Sequence, residues 1–199
     1  MLPRKLFERQ EAFVVRADRP RVARVRYFGK TSQGKYEKGK NMESVEKSIM
    51  VDVPVSTAYN QWTQFEEFPE FMDGVEEVRQ EGDTHLFWQA NIGGKDVEWE
   101  AEIFEQRPDE QISWRSTTGA YNAGTVRFEP SPDGGTRVFL RLEYEPEGFF
   151  ENVGSTLGFV DRRVEGDLER FKEFIEDTGS ETGAWRGEVH GGAKAKGST

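Results

Sequence analysis

The chain contains no cysteine, which removes disulfides, thiol catalysis, iron–sulfur clusters and thiolate-bound zinc from consideration. Histidine is almost as scarce: His85 and His190 are the only two, and His190 sits in a Gly-rich tail. A histidine-based metal centre is therefore not expected, and no metal or cofactor is assigned. A carboxylate-only site for a hard cation stays open. No apolar run approaches the roughly 20 residues that cross a bilayer. Met1-Leu2-Pro3-Arg4-Lys5 leads into charged residues, not into the apolar segment of a secretory signal. No pair reads as a nucleophile with its base. No phosphate loop or dinucleotide fingerprint is present, because Gly119 to Gly124 lacks the strand–turn–helix setting such loops need. These absences lead to the expectation of a soluble, cytoplasmic protein.

Basic charge is scarce in one part of the chain and dense in another. Residues 1–43 carry 12 Lys or Arg against 5 Asp or Glu, while the remainder carries 15 against 32. An acidic body repels nucleic acid and anionic membranes, so the core is not expected to bind nucleic acid. The arm 1–43 alone has the charge for a weak contact with an anionic surface. Its Thr31–Asn41 stretch is polar and Gly/Lys-rich, as linkers are. Three readings stay open for it: a disordered extension, residues upstream of a true start at Met42, or a phosphate-binding arm.

At 199 residues, one main domain is the default, and a domain of roughly 150 residues buries about two thirds of its unfolded surface. That domain spans residues 44–178. Ser44–Val53 reads as a first strand ended by Pro54. Ser56 can cap a short helix over Thr57–Gln64, and Phe65, Phe68, Phe71 and Met72 around Pro69 give a second helical turn. Six more strands follow: Val75–Gln80, Thr84–Ile92, Lys95–Gln106, Gln111–Thr117, Thr125–Pro130 and Thr136–Tyr144. Gly93-Gly94 supplies a tight hairpin turn. Asp96 to Ile103 alternates acid and apolar without exception, the period of a half-buried strand. A long helix over Phe149–Asp177 carries Val153, Leu157, Val160, Val164, Leu168, Phe171 and Ile175 at three- and four-residue steps, with Gly179 at its C-terminal cap. Residues 179–199 read as a Gly-rich, mobile tail, in which Trp185-Arg186 is a candidate anchor that docks back.

These elements predict an α+β fold: a curved antiparallel seven-stranded sheet wrapped on one long C-terminal helix, with two short helices after strand 1. The arrangement makes a cup. On its outer face, Glu98, Glu100 and Glu102 are expected near Arg115, Arg127, Arg137 and Arg141 of the next strands, which keeps that face wet and fixes register. Phe139 is the apolar exception there. Gly154, Gly158 and Gly166 in the helix indicate close packing on the sheet, a frayed first turn, or room for a ligand beneath it. His85 is expected at the surface, and Asn122 either shapes a turn or bonds a polar head group near the mouth.

Several stretches carry a family resemblance. Val51-Asp52-Val53-Pro54-Val55, Trp62 with Phe68-Pro69-Glu70-Phe71-Met72-Asp73-Gly74-Val75, Trp114-Arg115-Ser116, Gly124-Thr125-Val126-Arg127-Phe128, Gly135-Thr136-Arg137-Val138 and Asp167-Leu168-Glu169-Arg170-Phe171-Lys172 resemble bacterial members of the START-like (SRPBCC), polyketide cyclase/dehydrase and coenzyme Q-binding superfamily. The resemblance implies a helix-grip fold over about Ser44–Thr178 and a cavity beneath the helix.

The implied function is binding or carriage of a hydrophobic small molecule: a lipid, a quinone or a polyketide-like compound. The candidate ligand-facing set is Trp62, Phe68, Phe71, Trp88, Trp99, Trp114, Phe128, Tyr144, Phe150, Leu157 and Val160. The alternatives are a cyclase or dehydratase, with Tyr144 and then Arg115 as catalytic candidates, and a protein-interaction module marked by an exposed apolar patch. Aromatic side chains alone do not separate a lined cavity from a filled core, since large rings serve both.

Overall fold

The structure is a computed structural model and describes residues 25–26, 41–119, 121–146 and 156–194. Seven main strands form one antiparallel sheet: β2 (Asn41–Val51), β3 (Val75–Glu81), β4 (His85–Ile92), β5 (Lys95–Arg107), β6 (Gln111–Ser116), β7 (Asn122–Pro130) and β8 (Thr136–Tyr144). A two-residue strand β1 (Val25–Arg26) precedes them, and the sheet order is β1-β2-β8-β7-β6-β5-β4-β3. Helix α1 (Val55–Trp62) and a 3₁₀ helix (Phe65–Glu70) lie between β2 and β3, and the long helix α2 runs Thr156–Thr178. This is the helix-grip architecture that the sequence predicts. Among the described residues, no helix is long and apolar enough to cross a membrane.

Local chemistry explains the main turns. Gly93 and Gly94 both have positive φ, 63° and 84°, as a tight hairpin between β4 and β5 requires. Gly179, at φ 67°, donates its N–H to the Ile175 carbonyl at 3.0 Å and closes α2 in a left-handed cap. The connection expected over Gly119–Gly124 is shorter than the sequence suggests. β7 already begins at Asn122, where it pairs with Tyr144 of β8. The expected start of α2 near Phe149 falls in residues 147–155, outside the described part.

α2 lays Val160, Val164, Leu168, Phe171 and Ile175 onto the sheet, and all five are buried. Its flank is tied to β2 by Lys47 Nζ, 2.8 Å from Asp161 Oδ2 and 3.1 Å from Glu165 Oε2. Lys172 Nζ adds a 2.9 Å bond to the Met50 carbonyl. Neither of the two described helix glycines opens space beneath it. Gly158 is exposed, and a Cβ on Gly166 would meet the Arg170 guanidinium, nearest at Nη1, 3.1 Å away. Gly154 lies outside the described residues.

The outer face is wet, but its pairing differs in part from expectation. Arg115 does reach Glu102, at 3.2 Å. Arg127 and Arg137 instead set their guanidinium groups 5.3 and 6.0 Å from the Phe139 ring centre. That cover explains the one apolar residue on this face, because arginine stacks on an aromatic ring while its charge stays hydrated.

The stretch read as a mobile tail is bonded to the domain as far as Gly192, whose N–H donates to the Phe104 carbonyl at 3.0 Å. Asn60, Gln61 and Thr63 of the α1 region are buried polar groups, and the tail supplies their partners. Asn60 Nδ2 donates to Glu181 Oε1 at 2.8 Å, Thr182 N to Gln61 Oε1 at 3.0 Å and Trp185 N to Thr63 Oγ1 at 3.0 Å. Arg186 forks onto both carboxylate oxygens of Asp109, at 3.0 and 2.6 Å. Strand β9 (Val189–His190) pairs with Glu105 and Gln106 where β5 overhangs β4, and β10 (Ala193–Lys194) pairs with β9. The tail therefore covers a bare strand edge. Glycine content masked this, since composition does not show which buried amides need partners.

Candidate functional site

Rings from α1, the 3₁₀ helix, β7 and α2 converge at one end of the space between sheet and helix. Trp62 lies 4.7 Å from Phe171, 5.8 Å from Phe68, 6.1 Å from Phe71 and 6.2 Å from Phe128, measured between ring centres. Tyr59 stands edge-on to Phe128 at 5.6 Å, and its hydroxyl accepts a hydrogen bond from Gln106 Nε2 at 3.0 Å. Burial pushes that phenol up to about 12. These rings pack edge to face, as quadrupoles prefer, and they fill this end.

The other end is hollow. A cavity of about 130 Å³ lies between α2 and the sheet. Its floor is Trp88, Ala90, Trp99, Trp114 and Leu140, and its roof is Val160 and Val164 of α2. Trp88 and Trp99 are cross-strand neighbours and stack at 5.5 Å with planes only 11° apart, giving a flat wall. Trp114 faces Gly124 across the β6–β7 ladder. A Cβ at position 124 would come within 2.1 Å of the Trp114 ring, so glycine is what lets this indole lie against β7. The void follows from residue size: where the other end receives Phe171, the described apolar residues that the helix sets over the cavity are Val160 and Val164, and the sheet adds Ala90.

Partly buried residues mark the rim: Met72, Val75, Ile92, Arg163 and Asp167. Here α2 is latched to the turn before β3. Arg163 donates to the Asp73 carbonyl, Arg170 Nε to the Phe71 carbonyl at 3.0 Å, and Asp73 N to Asp167 Oδ1 at 3.0 Å. Arg170 also donates to that same Asp167 Oδ1. The carboxylate is thus gripped through one oxygen. Burial pushes its pKa upward, against the pull of the Asp73 N–H and the two arginines. Burial pulls the Arg163 guanidinium down.

Two further polar groups belong to the wall. Tyr144 is buried and its hydroxyl donates to Glu43 Oε2 at 3.1 Å. Burial, followed by that carboxylate, pushes the phenol upward, so it stays a neutral donor. Asn122 is only 8 % exposed, and its Nδ2 is buried with no hydrogen-bond partner. Trp88 Nε1 is in the same state. A buried donor without a partner costs about 1–3 kcal/mol, so two along one cavity wall are a notable expense.

The sequence-derived set therefore divides. Trp88, Trp99, Trp114, Tyr144 and Val160 line the cavity. Trp62, Phe68, Phe71 and Phe128 do not line it; they form the filled end, because rings from several elements meet there. Phe150 and the Leu157 side chain lie outside the described residues. Arg115, the second catalytic candidate, is on the outer face beside Glu102 and Phe104, away from the cavity. His85 is exposed, as expected. Sequence reasoning missed Met72, Val75, Ala90, Ile92, Leu140, Leu142, Arg163, Val164 and Asp167 as lining residues. Arg163 and Asp167 had a signal: they follow Val160 and Val164 by three residues, on the buried side of the stripe. As for an exposed apolar patch, Tyr121 is the single large hydrophobic side chain exposed among the described residues.

Comparison with known proteins agrees with this geometry. A family model described as polyketide cyclase/dehydrase and lipid transport matches residues 51–173. An uncharacterized 17.2 kDa protein of Streptomyces lincolnensis is 52% identical over 149 residues, covering 74% of this chain and 99% of that protein. Among solved structures, a Deinococcus radiodurans protein is 28% identical with a TM-score of 0.55, covering 68% of this chain and 98% of its own. The ZhuI aromatase/cyclase of a Streptomyces species shares the fold at 15% identity and a TM-score of 0.58, covering 72% of this chain and 99% of its own. The chain belongs to the polyketide cyclase/dehydrase and lipid-transport family.

Proposed function

We propose that this family member binds a hydrophobic small molecule in the hollow beneath α2 and acts as its carrier. The observation that carries the reading is the cavity of about 130 Å³, walled by three tryptophans and by Leu140, Val160 and Val164. Removing ligand surface from water supplies roughly 25 cal/mol per Å², and the few polar groups on the wall set orientation. The partly exposed rim by Met72 and Val75 is the route in. Native mass spectrometry of protein purified from its own host tests this. A single bound small molecule that is absent from Val164→Phe is expected. An adduct-free spectrum, together with no uptake of one-ring probes, would contradict it.

One observation favours a second reading, a cyclase or dehydratase. Arg163 and Asp167 both reach the cavity, and Asp167 is held through Oδ1 alone with its proton affinity raised by burial. That combination suits a group that moves a proton next to a carbonyl. Turnover of a β-hydroxy ketone that disappears in Asp167→Asn, while binding is retained, would establish it. Binding without turnover would leave the carrier reading alone.

A further inference from the structure

We propose that the cavity selects a neutral, single-ring ligand carrying a carbonyl acceptor, with that oxygen seated at Asn122. The inference rests on the ligand-binding reading above and narrows it, since lipid, quinone and polyketide-like compounds make different demands on the wall.

Three observations separate them. The first is shape. The wall is built of flat indoles, two of them stacked 11° from parallel. The space of about 130 Å³ is close to cavities of about 150 Å³ that hold a benzene ring. A flat ring fits that slot, whereas an extended acyl chain would have to leave it.

The second is hydrogen-bond polarity. Asn122 Nδ2 and Trp88 Nε1 are donors, and both are buried without partners. Tyr144 spends its proton on Glu43. Among the described residues, neither donor meets an acceptor as it stands. A ligand oxygen with lone pairs corrects that imbalance, and a hydrocarbon does not. Rotation about χ2, the soft torsion of an asparagine, turns the amide toward the ligand. Asn122 is fixed at the start of β7 by its own backbone N–H, which donates to Ser116 Oγ at 3.1 Å.

The third is charge. Among the described residues, no cation that lines the cavity stands free to hold a carboxylate at Asn122. Arg163, the lining guanidinium, is engaged with the Asp73 carbonyl, and the Asp167 carboxylate lies next to it at the rim. An anionic head group would meet that carboxylate, so a fatty acid or aryl acid is disfavoured against a ketone or quinone.

Three probes of matching shape test this: acetophenone, cumene and benzoate. Each carries one phenyl ring and a three-atom head, which is a ketone, an isopropyl group and a carboxylate respectively. The readout is the indole and side-chain amide resonances of ¹⁵N-labelled full chain at neutral pH. Acetophenone is expected to bind about tenfold more tightly than cumene, the ratio of one ordinary hydrogen bond. It should shift the Asn122 NH₂ and Trp88 indole signals, and benzoate should bind most weakly. In Asn122→Leu, the advantage of acetophenone over cumene should collapse to within twofold. Equal affinity of cumene and acetophenone for the wild-type chain would overturn the inference while leaving the cavity reading intact. So would tighter binding of benzoate, or an acetophenone preference that survives in Asn122→Leu. Failure of all three probes to bind would overturn both readings. The wild-type comparison needs no variant, so it stands even if Asn122→Leu does not fold.

Discussion

The two ends of the space between α2 and the sheet are made of the same materials and do opposite things. Both are faced by tryptophan on the sheet side or next to it, and both are roofed by the apolar stripe of one helix. At the filled end, Phe68, Phe71, Phe128 and Phe171 all come within about 6 Å of the Trp62 ring. At the hollow end, Trp88, Trp99 and Trp114 come from the sheet alone, and α2 answers them with Val160 and Val164. The lesson is that an aromatic residue fills or lines according to what stands opposite it. Space in a protein is set by small residues as much as by large ones.

The largest test of that contrast is a cavity made at the filled end. Trp62→Ala removes the ring at the centre of four aromatic contacts and is expected to cost about 3–5 kcal/mol, read as a fall in the urea midpoint. A loss under 1 kcal/mol would mean that this end is not close-packed. Next is Gly124→Ala, whose new methyl collides with the Trp114 indole. About 1–3 kcal/mol is expected from overpacking, with Trp114 driven into the hollow and probe affinity reduced. Unchanged stability and affinity would show that this ring has room to yield.

Val164→Phe sharpens the comparison from the other side, by giving the hollow end the ring that the filled end already has. Stability should change by about 1 kcal/mol or less, while one-ring probes should lose at least tenfold in affinity. Calorimetric melting and the resonance titration read the two quantities separately. A large loss of stability would mean that the space under Val164 is already occupied by packing.

The smallest expected effect concerns the rim. Burial raises the Asp167 pKa in the folded chain, so the folded state holds this proton more tightly than the unfolded state does. The group's contribution to stability is then greatest at low pH and declines as pH rises from its ordinary value through its raised one. Asp167→Asn lacks that decline. Its stability relative to wild type should therefore increase from pH 3 to pH 7, measured by urea unfolding at each pH. A relative stability that falls over that range would mean the latch donors outweigh burial.

The same contrast explains what could be read from the residues alone. The strand alternation over Asp96–Ile103, the Gly93-Gly94 turn and the α2 stripe are local patterns, and local patterns set this fold. The order of elements did the rest, with β2 returning to pair with β8 along nine residues. The site was legible in part. Trp88, Trp99, Trp114, Tyr144 and Val160 were visible as large inward residues, but so were Trp62, Phe68, Phe71 and Phe128, and periodicity gives both groups the same face. Separating them needs the opposite wall, which is a three-dimensional fact. Arg163 and Asp167 were hidden because charged residues beside a helical stripe usually face water. Of the tail's docking only the Trp185-Arg186 anchor was legible, because the partners Asn60, Gln61 and Asp109 lie far away in sequence.

Xenon pressurisation of crystals of the full chain tests the central claim most directly, because xenon enters apolar voids and ignores filled cores. The account predicts a xenon peak among Trp88, Trp99, Trp114 and Val164, and none among Trp62, Phe68 and Phe171. A peak at the Trp62 end, or no peak beneath α2 at all, would contradict it.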